Sequence, residues 1–184
     1  MTTREVREQG SVTADDLRAK IREVPDFPKP GILFYDITTL LKDRTAFRDA
    51  IDLLVAPYRD QRIDVVVGME SRGFIFSAPM AYTLGVGFVP VRKLGKLPAE
   101  TVSVEYALEY GTNTLEVHRD AIAPGQRVLI VDDLLATGGT VSGTIDLVRR
   151  LGGEVVSLAF LVELRFLKGR ERLRGYDVHS IIEY

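Results

Sequence analysis

Two adjacent acids and a pair of glycines lie close together in the segment VLIVDDLLATGGT, residues 128–140. The apolar run before Asp132 and Asp133 is typical of a buried strand, and the residues after Gly139 are typical of a helix. Ligands of open α/β sheets bind at the carboxyl ends of strands. Glycines let backbone N–H groups approach a ligand, and the start of a helix favours an anion. The loop therefore suits a phosphate, and the acids suit hydroxyl groups or a metal ion.

A purely structural interpretation of this segment is an ordinary strand, turn and capped helix with solvated acids. It leaves two neighbouring acids beside a Gly-Gly loop without a ligand, which is a costly arrangement. Two other phosphate motifs are absent from the sequence. The chain has no GxxxxGK(S/T) loop of ATPases, and no GxGxxG that opens a helix and binds a dinucleotide.

Apolar strands alternate with amphipathic helices on both sides of the segment. Strands are predicted at residues 64–68, 85–91, 127–133 and 154–163, and helices at residues 71–84 and 140–151. This alternation predicts an α/β fold with a parallel sheet of about five strands flanked by helices. Residues 101–119 alternate apolar and polar side chains around Gly111, which predicts a hairpin inserted at one edge of the sheet.

The N-terminal part of the chain has a different pattern. Residues 1–12 are polar and are expected to form a flexible extension. Thr13 can cap a helix whose apolar face carries residues 17, 21 and 24. Three prolines then end that helix and predict an extended crossing over residues 25–42. A second amphipathic helix is predicted over residues 47–55.

Composition limits the class of protein. The 184 residues carry a formal net charge of −2 and include no cysteine. Disulfides, thiolate zinc sites and a cysteine nucleophile are therefore excluded. Charge gives no reason to expect nucleic acid or an anionic membrane as a partner. No apolar run reaches the roughly 18 residues that a membrane helix needs, and the polar start is unlike a secretory signal. We expect a cytoplasmic protein.

The segment 128–140 resembles the phosphoribosyl-pyrophosphate binding motif of the type I phosphoribosyltransferases. The branch of that family that uses adenine is matched by further segments, in order along the chain: PDFPKPGILFYDIT (25–38), VVGMESRGFIF (66–76), VRKLGKLP (91–98), LEYG (108–111) and LVEL (161–164). The resemblance implies a purine-salvage enzyme that transfers the 5-phosphoribosyl group from 5-phosphoribosyl-1-pyrophosphate to adenine, giving AMP and pyrophosphate.

The resemblance also implies an architecture and partners. We expect a single domain over residues 13–184, with a small hood around residues 20–42 and a hairpin lid around residues 95–119. The co-substrate is expected to bring Mg²⁺, which is held mainly by substrate and water because it is a hard cation that retains its water ligands. A homodimer is implied, in which a basic residue can act across the interface.

The family pattern assigns sugar and leaving-group roles to residues of this chain. It implies that the 5′-phosphate lies in a loop made of Ala136, Thr137, Gly138, Gly139 and Thr140. Asp132 and Asp133 are expected to contact the ribose hydroxyls. Pyrophosphate is expected at Arg72 and at the basic cluster of Arg92, Lys93 and Lys96. Two structural alternatives stay open, namely an ion pair of Arg72 with Glu70 and a solvated basic turn.

The family pattern also assigns residues to base binding and to proton transfer. Glu109, in the lid with Tyr110, is expected to act as acid or base towards adenine, although an exposed strand glutamate is the structural alternative. The base pocket is expected to include Leu33, Phe34, Tyr35 and Leu164. Tyr35 stands where the family commonly has arginine, and it offers one hydroxyl in place of five donors. This departure concerns base binding and leaves phosphoribosyl binding intact.

Two other functions fit parts of the pattern. The same fold can act on another purine base, or the chain can be a non-catalytic regulator that senses phosphoribosyl pyrophosphate. The presence of Arg72, Lys96 and Glu109 argues against a regulator, because a sensor has no leaving group to neutralise. His118 and His179 are interpreted as structural or surface residues. The basic run KGRERLRG, residues 168–175, is interpreted as a solvated face.

Overall fold

The computed structural model describes residues 12–107 and 112–184. The chain divides into two compact units, residues 1–50 and residues 51–184. We refer to them as the N-terminal unit and the C-terminal unit and describe each by itself. The expectation of a single domain over residues 13–184, with a hood and a lid, stays a prediction.

The N-terminal unit begins with a short capped helix. Helix α1 (Ala14–Arg18) starts at Thr13, whose hydroxyl accepts a hydrogen bond from the Asp16 N–H at 3.3 Å, while the Asp16 carboxylate accepts from the Thr13 N–H at 2.9 Å. This reciprocal cap confirms the predicted start of the helix. The extension of the helix to Val24 is wrong, because Val24 lies in a strand that pairs with Phe34.

Two short strands follow in this unit. Strands β1 (Arg22–Pro25) and β2 (Leu33–Asp36) are antiparallel, and the peptide bond between Phe27 and Pro28 is cis. Helix α2 (Thr38–Leu41) interrupts the predicted extended crossing. The Asp36 carboxylate accepts the Thr38 N–H at 2.9 Å, so a side chain, which the proline pattern did not reveal, supports the start of this helix. Helix α3 (Arg44–Val55) confirms the second predicted helix.

The C-terminal unit is built on one seven-stranded sheet. Its strands are β3 (Val65–Met69), β4 (Gly87–Lys93), β5 (Thr101–Ala107), β6 (Thr112–His118), β7 (Arg127–Leu135), β8 (Glu154–Glu163) and β9 (Val178–Glu183). Their order is β5-β6-β4-β3-β7-β8-β9. Strands β4, β3, β7, β8 and β9 run parallel to one another. At the edge, β6 is antiparallel to both β4 and β5. The predicted parallel sheet and its inserted hairpin are confirmed.

Within residues 56–107 and 112–184, the helices are α4 (Gly73–Leu84) and α5 (Gly139–Arg150), together with short 3-10 helices at Ala56–Tyr58, Arg165–Leu167 and Gly169–Leu173. Central strand residues such as Val66, Val67 and Ile130 are fully buried. Strands that are covered on both faces need such continuous apolar runs. Within the described residues, no helix combines the length and the apolar character needed to cross a membrane.

Candidate active site

The ends of two central strands define the site. Strands β3 and β7 are parallel neighbours, with Gly68 opposite Val131. Because parallel strands end at the same edge, the residues after β3 meet the acids at the end of β7. A cavity of about 500 Å³ lies there, and its wall includes Glu70, Ser71, Arg72, Lys93, Tyr106, Asn113, Leu115, Asp132, Asp133, Leu134 and Thr140. This is the edge of an α/β sheet where ligands bind.

The predicted phosphate loop, residues 136–140, leads directly into α5. Gly138 precedes the helix in the left-handed conformation, with φ of 79°. A Cβ atom at this position would lie 2.8 Å from the carbonyl oxygen of Gly169, so only glycine fits. Among the described residues, no side chain caps the start of α5. Its first backbone N–H groups are therefore suited to bind an anion.

The two acids of β7 have different partners. The Asp133 side chain is 7% exposed, and its Oδ2 lies 2.5 Å from Nε of Arg72, whose side chain is 46% exposed. Asp132 accepts the backbone N–H of Asp133 at 2.9 Å. Loss of hydration, followed by repulsion from the Asp133 carboxylate, raises the pKa of Asp132. An acidic pair beside a cationic side chain can bind hydroxyls on one side and anionic oxygens on the other.

Arg72 therefore forms an ion pair, although not with the acid that the sequence suggested. Glu70, the alternative partner considered for Arg72, instead contacts Arg92 across a distance of 3.0 Å. Glu70 also accepts the Lys93 N–H at 3.0 Å. The hydrogen bond from Arg92, followed by that from the Lys93 N–H, lowers the pKa of Glu70. The peptide bond between Glu70 and Ser71 is cis.

The members of the basic cluster, Arg92, Lys93 and Lys96, have different surroundings in the structure. Lys93 lines the cavity, whereas Arg92 and Lys96 are not among its lining residues. The Arg92 guanidinium donates to the carbonyl oxygen of Lys96 at 3.1 Å, which links the two outer members. The Lys96 side chain is exposed.

The hairpin contributes residues that sequence reasoning missed. Tyr106 on β5 and Asn113 on β6 are cross-strand partners, and both line the cavity. The period of two along each strand was a usable signal, because it places Tyr106 and Asn113 on the same face as the buried pair Val104 and Leu115. Glu116 on β6 is also buried, with 3% exposure, and bonds the backbone of the Lys96 loop.

The residues predicted for base binding lie in both units. Leu33, Phe34 and Tyr35 are on β2, where Leu33 is 41% exposed. Burial, and then the nearby Glu23 carboxylate, raise the pKa of Tyr35. Leu164 directly follows β8 and is 8% exposed. Glu109 and Tyr110 lie outside the described residues. The roles predicted for these residues remain predictions.

The basic run at residues 168–175 is a solvated face only in part, since Lys168, Glu171, Arg172 and Arg174 are exposed whereas Arg170 and Leu173 are not. Leu173 is 1% exposed. The Arg170 guanidinium donates to both carboxylate oxygens of Glu163 at 2.8 Å. His118 and His179 are partly buried, and within the described ranges the Nε2 atom of each is buried without a hydrogen-bond partner. Burial lowers the pKa of His179.

A divalent cation was also expected at the site. Within residues 12–107 and 112–184, no group of three His, Asp or Glu side chains could hold a metal ion. The carboxylates at the cavity wall are hard oxygen donors of the kind that Mg²⁺ accepts. They suit an ion that brings most of its ligands with it as substrate oxygens and water.

Comparison with known proteins identifies the family. The model of the phosphoribosyl transferase domain matches residues 36–182. An adenine phosphoribosyltransferase of Acidobacterium capsulatum is 62% identical over 174 residues, which cover 95% of this chain and 96% of the relative. The crystal structure of adenine phosphoribosyltransferase from Thermoanaerobacter pseudethanolicus superposes with a TM-score of 0.91 at 57% identity, covering 94% of this chain and 100% of that one.

A third similar protein was solved with bound compounds. Adenine phosphoribosyltransferase from Saccharomyces cerevisiae, in complex with D-2,5-dideoxy-2,5-imino-altritol 1,6-bisphosphate and adenine, superposes with a TM-score of 0.86. Its sequence is 41% identical, and the match covers 91% of this chain and 97% of that chain. The predicted type I phosphoribosyltransferase fold is confirmed. The chain belongs to the phosphoribosyltransferase family and, within it, to the adenine phosphoribosyltransferases.

Proposed function

We propose that this chain transfers the 5-phosphoribosyl group from 5-phosphoribosyl-1-pyrophosphate to adenine, producing AMP and pyrophosphate in purine salvage. The observation that carries the proposal is a cavity that brings Asp132, Asp133 and Arg72 together with Thr140 at the start of α5, which no side chain among the described residues caps. Family membership supports adenine as the base, since the similar proteins named above are adenine phosphoribosyltransferases.

The sugar phosphate is assigned to the segment 132–140. Backbone N–H groups at the start of α5, with the hydroxyls of Thr137 and Thr140, donate to the 5′-phosphate oxygens. The carboxylates of Asp132 and Asp133 accept hydrogen bonds from the 2′ and 3′ hydroxyls of the ribose. The segment thus carries acceptors for the ribose hydroxyls at one end and donors for the 5′-phosphate at the other.

The leaving group is assigned to the basic residues. The bond between ribose C1 and the pyrophosphate oxygen breaks, and the ring acquires positive, oxocarbenium-like charge. The two β7 carboxylates stabilise that charge because they are already oriented beside the ring. Arg72, with Arg92, Lys93 and Lys96, donates to the departing pyrophosphate. When bound, Mg²⁺ neutralises part of the pyrophosphate charge.

Arg72 has to exchange partners during substrate binding. In the structure its guanidinium pairs with Asp133. As pyrophosphate oxygens enter, they offer Arg72 a stronger, doubly charged partner, and Asp133 becomes available to the ribose hydroxyls. One exchange therefore prepares both ends of the substrate.

Adenine binding is assigned to residues of β2 and of the predicted lid. The backbone N–H and C=O of Leu33 match the N1 acceptor and N6 donor of adenine, and Phe34 packs on the ring. Leu164 is assigned to base binding as a further apolar residue. Guanine presents the reverse pattern and leaves buried groups unpaired, at about 1–3 kcal/mol each. Tyr35 supplies a hydroxyl where the family pattern commonly has arginine. Glu109 exchanges a proton with adenine N7 or N9, and Tyr110 helps the lid to exclude water.

One assay tests this function against its alternatives. The protein is mixed with Mg²⁺, phosphoribosyl pyrophosphate and, separately, adenine, hypoxanthine, guanine or xanthine, and the nucleotide formed is measured. We expect AMP from adenine and little product from the other bases. Product from another base alone contradicts the substrate assignment. Binding of phosphoribosyl pyrophosphate without any product favours a regulator.

We also assign the enzyme to the cytoplasm and to a homodimer in which Arg92 acts across the interface. Within its own chain, Arg92 is a third exposed, at 33%, and is oriented by Glu70. Sedimentation equilibrium of the intact chain measures the assembly state. A monomer at the concentrations that give full activity contradicts the dimer.

A further inference from the structure

Glu116 is a buried carboxylate that serves backbone groups of the Lys96 loop. It lies on β6 opposite Arg92 of β4 and is 3% exposed. Its Oε1 accepts the backbone N–H of Lys96 at 2.8 Å and that of Leu97 at 2.9 Å. Burying a charged group without such donors is strongly unfavourable. The N–H groups of the loop and the carboxylate of Glu116 therefore hold each other in place.

The protonation state of Glu116 agrees with this arrangement. Burial alone would raise the pKa of its carboxyl. The backbone N–H groups of Leu97, Lys96 and Gly95, with the hydroxyl of Thr101, outweigh burial and lower the pKa. The group is therefore an anion at neutral pH, and its hydrogen bonds to the loop are of the stronger, charge-assisted kind.

Both peptide groups of Lys96 are restrained. Its N–H is bonded to Glu116, and its carbonyl oxygen accepts from the Arg92 guanidinium at 3.1 Å. Two residues before Lys96, the N–H of Leu94 donates to the Thr114 carbonyl at 3.1 Å. The Lys96 side chain nevertheless stays exposed. The backbone is fixed while the side chain is accessible to an anion from solvent.

We propose that Glu116 is a positioning residue for the leaving group. Its carboxylate holds the backbone of Lys96 and Leu97 before substrate arrives, so that Lys96 is presented to pyrophosphate without first having to be ordered. Ordering a loop on binding reduces affinity, and a preformed loop avoids that cost. This inference rests on the proposed function, because it concerns the residue that is assigned to pyrophosphate.

The test substitutes Glu116→Gln, which keeps the size of the side chain and removes its charge. The KM for phosphoribosyl pyrophosphate should rise about tenfold, equivalent to about 1.4 kcal/mol. The dissociation constant of inorganic pyrophosphate, measured by calorimetry with Mg²⁺, should rise by about the same factor. The KM for adenine should change by less than about twofold. A merely structural defect affects both substrates, so the difference between the two KM values is diagnostic.

Glu154→Gln is the matched control. Glu154 starts β8 and is exposed, and its carboxylate contacts Arg127 at 3.0 Å. The same carboxylate-to-amide change there should leave both KM values unchanged. The inference is contradicted if Glu116→Gln matches this control, or if it alters the KM for adenine as much as that for phosphoribosyl pyrophosphate.

Backbone hydrogen exchange supplies a readout that needs neither activity nor a stable variant. In the wild-type protein the amides of Lys96 and Leu97 should be protected from exchange, and in Glu116→Gln they should exchange at least about tenfold faster. Unprotected amides in the wild type overturn the inference whether or not the variant folds. A wild-type protein that makes no AMP while these amides are protected contradicts the proposed function instead.

Discussion

Asp133 and Glu163 lie near the carboxyl ends of neighbouring strands, β7 and β8, and each pairs with an arginine. Their side chains are 7% and 3% exposed. Glu163 receives Arg170 on both oxygens and a further hydrogen bond from the Ser180 hydroxyl at 2.7 Å. Asp133 lines the cavity, and its partner Arg72 is 46% exposed. The two ion pairs are alike in chemistry and differ in their surroundings.

The difference separates a structural charge from one that is suited to a ligand. Burial alone would raise the pKa of Glu163, but the hydrogen bonds from Arg170 and Ser180 outweigh it and lower the pKa. Arg170 is restrained in turn, because it donates to the carbonyl oxygen of Val178 at 3.0 Å. That network is closed by protein groups. The pair of Arg72 and Asp133 adjoins open space, so either member can take a substrate group as a new partner.

The largest expected effect is on catalysis, at the pair of Arg72 and Asp133 that adjoins the cavity. Asp133→Asn should lower kcat/KM for phosphoribosyl pyrophosphate by a factor of about a hundred to a thousand, because an oriented charge beside the ribose is lost. Steady-state kinetics measures this, and circular dichroism checks the fold. Asp146→Asn, an exposed position on α5, is the control and should be silent. Activity of Asp133→Asn within about fivefold of wild type contradicts the ribose assignment.

The next largest effect is on stability, at the pair of Arg170 and Glu163. Arg170→Ala should lower the free energy of unfolding by about 2–3 kcal/mol, since it leaves the Glu163 charge buried and unpaired. This is below the full cost for a wholly buried pair, because the Arg170 side chain is 37% exposed. Arg72→Ala should cost about 1 kcal/mol or less, because Arg72 is 46% exposed and the cavity gives water access to Asp133. Urea unfolding compares the two variants, and equal losses contradict the distinction between the pairs.

The smallest expected effect is on the pH dependence of stability, to which Asp132 on β7 and Glu163 on β8 should contribute with opposite signs. Glu163 has a lowered pKa, so its contribution to stability is present above the usual value of 4.5 and is lost as the pH falls. Asp132 has a raised pKa. The unfolded chain therefore releases that proton first, and stability falls as the pH rises above 3.8.

Urea unfolding measured between pH 3.5 and 7 tests the signs of these two contributions, because this range includes the ordinary pKa values of both groups. Asp132→Asn should gain stability relative to wild type as the pH rises, and Glu163→Gln should lose it. Parallel pH profiles for the two variants contradict the assignment of opposite shifts.

The parts of the molecule that could be predicted from sequence are those specified by local pattern. Apolar runs such as residues 128–131 identify buried strands, and the alternation over residues 101–119 identifies the hairpin. The segment 132–140 combines a strand end, acids and glycines within nine residues, so its chemistry is visible without a fold. Strand β9, with the sequence VHSIIE, lacks such a run and was not predicted as a strand.

The parts that could not be predicted depend on distant residues. Arg72 and Asp133 are 61 positions apart, and nothing near either one indicates the other. Glu116 looks like an ordinary polar residue of an alternating strand, and its role becomes visible only when the turn at Lys96 folds onto it. Arg170 was interpreted from the charge of its neighbours, whereas its surroundings are set by Glu163 in the sheet.

The close approach of Gly138 and Gly169 limits how this enzyme can be redesigned. A Cβ at Gly138 would lie 2.8 Å from the Gly169 carbonyl oxygen, and a Cβ at Gly169 would lie 2.9 Å from Cδ1 of Leu135. Two main-chain segments thus occupy adjacent space with no room for a side chain between them. A library that reshapes the sugar site has to vary residues 136–140 and 168–170 as one unit and keep both glycines.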